Sequence, residues 1–166
     1  MSTLAIVQCG QKKIWDRNPA AGPTAAKDAY VSPYFKKNRA YAERFTDQWV
    51  ILSAKYGFLD PDTKIRNYNV TFLKPSTHPI LVDKLRQQVP QMRLCNFKEV
   101  IVIGGAVYGL MIQQSFDKTG CRIHLLFKKY KGIGYIQQAV GNALKTGRPL
   151  ILENSGSGQQ GGKRSD

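Results

Sequence analysis

The chain has 166 residues, 42% of them hydrophobic, a size and composition that suit one domain around a single core. Its 25 Lys and Arg stand against 11 Asp and Glu, giving a net charge of +14 that points to a polyanionic partner, nucleic acid before anionic membrane. No apolar run approaches the roughly 20 residues of a membrane span, no basic-then-apolar leader opens the chain, and Cys9, Cys95 and Cys121 form neither a disulfide framework nor a metal spacing, so a cytoplasmic protein is expected.

In chain order, Leu4 to Gln8 predicts a first strand running into Cys9-Gly10-Gln11-Lys12-Lys13. Residues 14 to 32 read as a long Pro/Gly/Ala-rich connection. Ser32 and Pro33 have the character of a cap and a first helical position, and the helix continues to about Phe45. Trp49 to Leu52 predicts a second, buried strand, followed by a polar loop that keeps Tyr56, Phe58, Leu59, Ile65 and Tyr68 to pin it down. Thr77 is expected to cap a helix from about His78 to Met92. Val100 to Ile103 predicts a third strand, ending in Gly104-Gly105 and a helix through Val107 and Ile112. A fourth strand, Arg122 to Phe127, leads into Lys128-Lys129-Tyr130-Lys131-Gly132-Ile133-Gly134 and a last helix from Tyr135 to about Leu144. The Gly/Ser/Gln-rich stretch 151–166 cannot bury apolar surface and is expected to be disordered. Residues 1–150 thus predict one α/β domain, with a mostly parallel four-stranded sheet covered by helices on both faces.

Ligands of such sheets bind beyond the carboxyl ends of the strands. Here those ends carry Gly10, Gln11, Lys12 and Lys13; Ser53, Lys55 and Tyr56; Gly104, Gly105 and Tyr108; and Lys128, Lys129, Lys131, Gly132 and Gly134. Glycine turns let backbone amides approach phosphate, lysines neutralise it, and tyrosines stack on bases. Neither the dinucleotide fingerprint nor a phosphate-loop motif occurs. His78 and His124 lack any neighbouring metal or nucleophile pattern and are read as structural, Cys9 is read as a small packed residue, and Arg39 with Glu43 as an i,i+4 pair. No metal or cofactor is expected.

From Leu52 to Tyr68 the sequence follows L-S-x-x-Y-G-x-L-x-P-x-x-x-I-x-x-Y, a pattern that resembles the signature of YaaA-like proteins and related bacterial domains of unknown function. The C-G-x-K-K of Cys9 to Lys13, the D-x-Y-x-S-x-x-F of Asp28 to Phe35, the G-x-x-Y of Gly105 to Tyr108 and the G-I-G of Gly132 to Gly134 extend the resemblance across Leu4 to Leu144. It implies a three-layer fold of the uracil-DNA glycosylase superfamily and a nucleic-acid enzyme or binder acting on a base. Uracil-DNA glycosylases carry G-Q-D-P-Y-H after their first strand. This chain has Gly10-Gln11-Lys12-Lys13, so Lys12 stands where their water-activating acid would be, and their H-P-S motif is absent.

The expected activity is therefore removal of a modified base from DNA, phage DNA included, by a monomer; RNA is an alternative partner and non-catalytic nucleic-acid binding an alternative role. Breaking an N-glycosidic bond builds a cationic sugar, so a carboxylate from Asp28 or Asp60 is expected near it. Lys12, Lys55 or Tyr56 would donate to the leaving base, and Tyr30, Tyr56 or Tyr68 would stack on it, with Gln11 and Ser53 reading its edge. Lys55 is alternatively a nucleophile forming a Schiff base.

Overall fold

A computed structural model describes residues 2–152; of the stretch 151–166 expected to be disordered, only Ile151 and Leu152 lie within them, and Leu152 packs half-buried against the core, contrary to that expectation. The chain order is β1 (Thr3–Gln8), α1 (Ile14–Arg17), β2 (Thr24–Ala25), α2 (Ala26–Ala29), α3 (Pro33–Phe45), β3 (Gln48–Ser53), β4 (Gly57–Leu59) and β5 (Lys64–Ile65). It continues through α4 (Val82–Gln91), β6 (Glu99–Ile103), α5 (Ala106–Ser115), β7 (Arg122–Leu125), α6 (Leu126–Lys129) and α7 (Ile133–Thr146).

The apolar, β-branched runs become the sheet because they have partners on both faces. In β1, Leu4 and Ile6 point to one side and Ala5 and Val7 to the other, the period of two that a strand imposes. Ile101 and Ile103 of β6 join Ala5 and Val7 beneath α3 and α7, which contribute Phe35, Tyr41, Ala42, Ile136, Val140 and Ala143. The opposite face packs on Leu85 and Val89 of α4 and Ile112 and Phe116 of the α5 end. The result is the expected mixed α/β layering around a central, mostly parallel sheet.

The sheet has five strands, not four, in the order β4-β3-β1-β6-β7. The four parallel members are the four predicted runs. The fifth, β4, pairs antiparallel to β3 within the segment expected to be loop, with Leu52 opposite Phe58 and Ser53 opposite Gly57. Gly57 makes that reversal possible: its φ is 73°, and a Cβ there would collide with the Gln88 side chain. Residues 14 to 32 are likewise less bare than expected, since they hold α1, β2 and α2, and β2 pairs with β5.

One helix start holds, another moves, and one strand ends early. Ser32 does cap α3, its Oγ accepting from the Phe35 amide at 3.2 Å. Thr77, by contrast, caps nothing: its hydroxyl donates within the Thr71–Lys74 turn, and α4 starts only at Val82. Pro79 disfavours helix at the residue before it, and His78 sits in the left-handed region at φ 56°. β7 ends at Leu125, two residues early, because Leu126 and Phe127 turn into α6.

Candidate site at the carboxyl edge of the sheet

β1 is central, with β3 on one side and β6 on the other, and the chain crosses from β3 to β6 past it. The connections from β1 and β6 therefore leave toward opposite faces of the sheet. A crevice opens at such a switch point, beyond the carboxyl ends of β1 and β6. Two contacts span that point. Gln8 Oε1 accepts from the Gly105 amide at 2.8 Å, and Cys9 Sγ lies 3.5 Å from the Tyr108 hydroxyl. Gly104 is required by this closeness, since a Cβ there would stand 2.9 Å from that of Gln8. Phe72 holds the Tyr108 ring in place edge-on, with centroids 5.1 Å apart.

A cluster of hydroxyl groups lies next to it, at the end of β3. Ser53 Oγ accepts from the amides of Lys55 and Tyr56, each at 3.2 Å, and its hydroxyl is 3.0 Å from the Tyr68 oxygen. The Tyr68 and Tyr30 hydroxyls are 2.5 Å apart. All three residues are buried, with exposures of 0% for Ser53, 1% for Tyr30 and 8% for Tyr68. Burial is the leading cause that raises the phenol pKa values of Tyr68, Tyr30 and Tyr108, and the nearby Cys9 adds to it. These phenols stay protonated at neutral pH and act as hydrogen-bond donors. Among the described residues, no carboxylate is hydrogen-bonded to any of them.

The rim is cationic and aromatic. Lys13 Nζ sits 4.5 Å over the Tyr68 ring, Lys55 Nζ 5.1 Å over that of Tyr56, and Tyr56 meets Tyr68 edge-on at 5.5 Å. The Tyr56 hydroxyl reaches the backbone of Arg66, donating to its carbonyl at 3.4 Å. The Lys12 carbonyl takes the Val31 amide at 3.0 Å, which ties the end of β1 to the approach to α3. Gly10 lies beside Ser32 and Tyr30 in that corner, with the Gln11 and Lys12 side chains exposed.

The structure thus brings together Ser53, Tyr30, Tyr56, Tyr68, Lys13, Lys55, Gly104, Gly105 and Tyr108. It does not bring in the two acids. Asp28 is exposed and paired with Arg39 at 3.1 Å, while Arg39 also holds Glu43. Asp60 Oδ1 accepts from the Asp62 amide at 2.9 Å inside its own turn. Lys128, Lys131, Gly132 and Gly134 are exposed beyond β7, and Lys129 donates to the Ile151 carbonyl. Tyr30 and Tyr68 meet hydroxyl to hydroxyl and are packed among other side chains, so their faces are not free to stack on a base.

Gln8 and Cys9 were missed as site residues. Each reaches a partner nearly a hundred residues away, at Gly105 and Tyr108, and no local pattern announces such a contact. His124, read as structural, lies at the other end of the sheet against the buried Glu99.

The model of the DUF6884 family, a family of unknown function, matches residues 4–139, which include every residue of this cluster. The chain belongs to the DUF6884 family. A relative from Bacillus subtilis (strain 168), the uncharacterized protein YfjM, is 40% identical over 146 residues, covering 87% of this chain and 97% of the relative. The DUF6884 match stops seven residues short of the end of α7, so the family's extent is that of the sheet and its helices. No solved structure matches the chain.

Proposed function

We propose that this DUF6884 protein is a DNA glycosylase that removes a modified base after flipping it from the duplex, and that it shares the uracil-DNA glycosylase type of fold. The observation that carries the reading is a cluster of protonated hydroxyl donors at the carboxyl edge of the sheet, ringed by lysines, on a body of net charge +14. When the bond between C1′ and the base nitrogen breaks, its electron pair leaves on the base. Neutral donors fixed in a water-poor site stabilise that charge. Water then adds to C1′ and loses a proton, leaving an abasic site and a free base.

In this reading Lys12, Lys13 and Lys55 hold backbone phosphates, and Lys13 must swing off the Tyr68 ring to admit a base. Asp28 or Asp60 supplies the carboxylate beside the cationic sugar, the first after releasing Arg39. Lys55 is exposed on the Tyr56 ring, which suits a phosphate contact; borohydride trapping of a protein–DNA adduct would assign it the Schiff-base role instead.

The test is incubation with phage DNA rich in modified bases, glucosylated hydroxymethylcytosine among them, followed by alkali to cleave abasic sites. Wild type should cleave, and Asp28→Asn or Asp60→Asn should abolish cleavage with DNA affinity intact or raised. One observation favours a second reading, a non-catalytic nucleic-acid-binding protein: both acids are engaged away from the hydroxyl cluster. Binding without abasic sites, on unmodified and hypermodified DNA alike, would select it.

A further inference from the structure

The hydroxyl cluster holds more protons than it has internal contacts to use them. Ser53 Oγ already accepts two backbone N–H bonds, from Lys55 and Tyr56, so its one proton goes to the Tyr68 oxygen. Tyr68 and Tyr30 share a single contact, yet each carries a proton. A phenol oxygen that accepts from Ser53 keeps its own proton to donate, and the favourable order runs from Ser53 to Tyr68 to Tyr30. One phenolic O–H is left over at the end of this order. Among the described residues the Tyr30 hydroxyl has no hydrogen-bond partner besides Tyr68, and the Cys9 sulfur, a weak acceptor, is engaged by the Tyr108 hydroxyl at 3.5 Å.

We propose that Ser53, Tyr68 and Tyr30 form a directional hydrogen-bond relay whose spare terminal proton, on Tyr30, is donated to an acceptor atom of the bound base. The acceptor class is a carbonyl oxygen or an unprotonated ring nitrogen. This deepens the glycosylase reading and rests on it: the atom that receives the proton is the one on which charge accumulates as the glycosidic electron pair departs. The proton is shared in a hydrogen bond and not transferred, so the base leaves as an anion and takes its proton from solvent. Tyr30, 1% exposed in this structure, becomes the contacting donor once Lys13 has left the Tyr68 ring and the cluster has parted to admit the base; Tyr68 and Ser53 are positioning residues that fix which way its proton points. The raised phenol pKa values agree with this, since a donor must hold its proton while negative charge develops beside it.

The relay differs from a packed tyrosine cluster in what its variants do. Tyr30→Phe retains the ring that packs on Phe35, with centroids 5.1 Å apart, and removes only the terminal donor. On the phage DNA that wild type cleaves, it should slow base release at saturating DNA about 100-fold and leave the half-saturating DNA concentration unchanged. Ser53→Ala should give a smaller loss in the same quantity. A second measurement does not need catalysis: carbon-13 NMR of the ring Cζ atoms, with duplexes carrying one bulged nucleotide (each of the four standard bases or 5-hydroxymethylcytosine). The Tyr30 and Tyr68 signals should both move with at least one bulge, and in Tyr30→Phe the Tyr68 response should be lost although the duplex still binds.

Movement of both signals without abasic sites from wild type supports the relay and removes the glycosylase reading. Cleavage by wild type with Tyr30→Phe equally fast supports the reading and overturns the relay. Bound duplexes that leave both tyrosine signals unmoved also overturn it.

Discussion

Two polar clusters sit at opposite edges of the same sheet, and they are built on opposite principles. At the amino edge, Glu99 is buried at the start of β6, with Arg122 on one carboxylate oxygen and His124 on the other. Both partners come from β7, the strand beside it, so the trio fastens β6 to β7 where Glu99 pairs with Arg122 in the register. Every charge there has a neighbour, and nothing is left to recruit a ligand. At the carboxyl edge, Ser53, Tyr30 and Tyr68 are neutral and all buried, whereas Arg122 of the ion cluster is exposed, and the proposed relay leaves one donor to spare. The ion cluster is closed within the protein, whereas in the proposed reading the hydroxyl cluster keeps a donor for a ligand.

The two edges should differ most in their contribution to stability. Glu99→Ala removes the hydrogen-bond and ion-pair partner of both Arg122 and His124, and unfolding in urea should show a loss of about 3 kcal/mol, the low end of the cost of breaking a buried pair because Arg122 is half-exposed. Its DNA affinity, measured where it remains folded, should be that of wild type. Tyr68→Phe deletes the centre of the relay and should cost less, about 1–2 kcal/mol for two lost hydrogen bonds, while its effect on base release is far larger. A reversed pattern would exchange the roles of the two edges.

Charge gives the next, weaker contrast. Replacing Lys128, Lys129 and Lys131 with Ala should leave stability nearly unchanged and weaken DNA binding uniformly across sequences. The slope of log affinity against log salt should flatten by about one unit per lost phosphate contact. An unchanged slope would confine phosphate binding to the lysines nearer the hydroxyl cluster.

The smallest effect belongs to Asp47, an exposed acid of the amino edge. The Thr3 amide and hydroxyl donate to it at 2.7 and 3.0 Å, and these hydrogen bonds hold its carboxyl below the ordinary value of 3.8. A depressed folded pKa contributes stability above the unfolded value, and that contribution disappears as pH falls through the lower, folded one. Asp47→Asn should therefore lower stability slightly at neutral pH and reduce the further loss below about pH 4, as read from acid unfolding curves.

Much of this was legible in the sequence. Three of the four parallel strands, β1, β3 and β6, announce themselves as apolar, β-branched runs, because burial on both faces leaves no room for alternation; β7, at the sheet edge, carries Arg122 and His124 and shows a weaker signal. β4 hides for the opposite reason: three residues, Gly57 to Leu59, form no run, and only pairing with β3 makes them a strand. Ser53, Tyr30, Tyr56 and Tyr68 could be singled out because hydroxyls and phenols crowd a strand end. Their geometry could not, since the Tyr30–Tyr68 contact joins residues 38 apart and converts expected stacking rings into hydrogen-bond donors. The chemistry asks for a carboxylate and the sequence offers Asp28 and Asp60, but a residue type says nothing of direction, and Arg39 and the Asp60 turn claim them in this structure. Cys9 gave a strand-end position and no sign of Tyr108, a partner supplied by a helix 99 residues on.

The most direct measurement is mass-spectrometric detection of free base released from hypermodified phage DNA by three proteins side by side: wild type, Tyr68→Phe at the carboxyl edge and Glu99→Gln at the amino edge. Wild type and Glu99→Gln should release base at similar rates at a temperature where both are folded, with an abasic site for every base. Tyr68→Phe should bind the same DNA and release base at least tenfold more slowly, the scale of a misdirected charge-stabilising donor. Release by Tyr68→Phe at the wild-type rate, or no free base from wild type on any modified DNA, would contradict a base-cleaving site at the carboxyl edge.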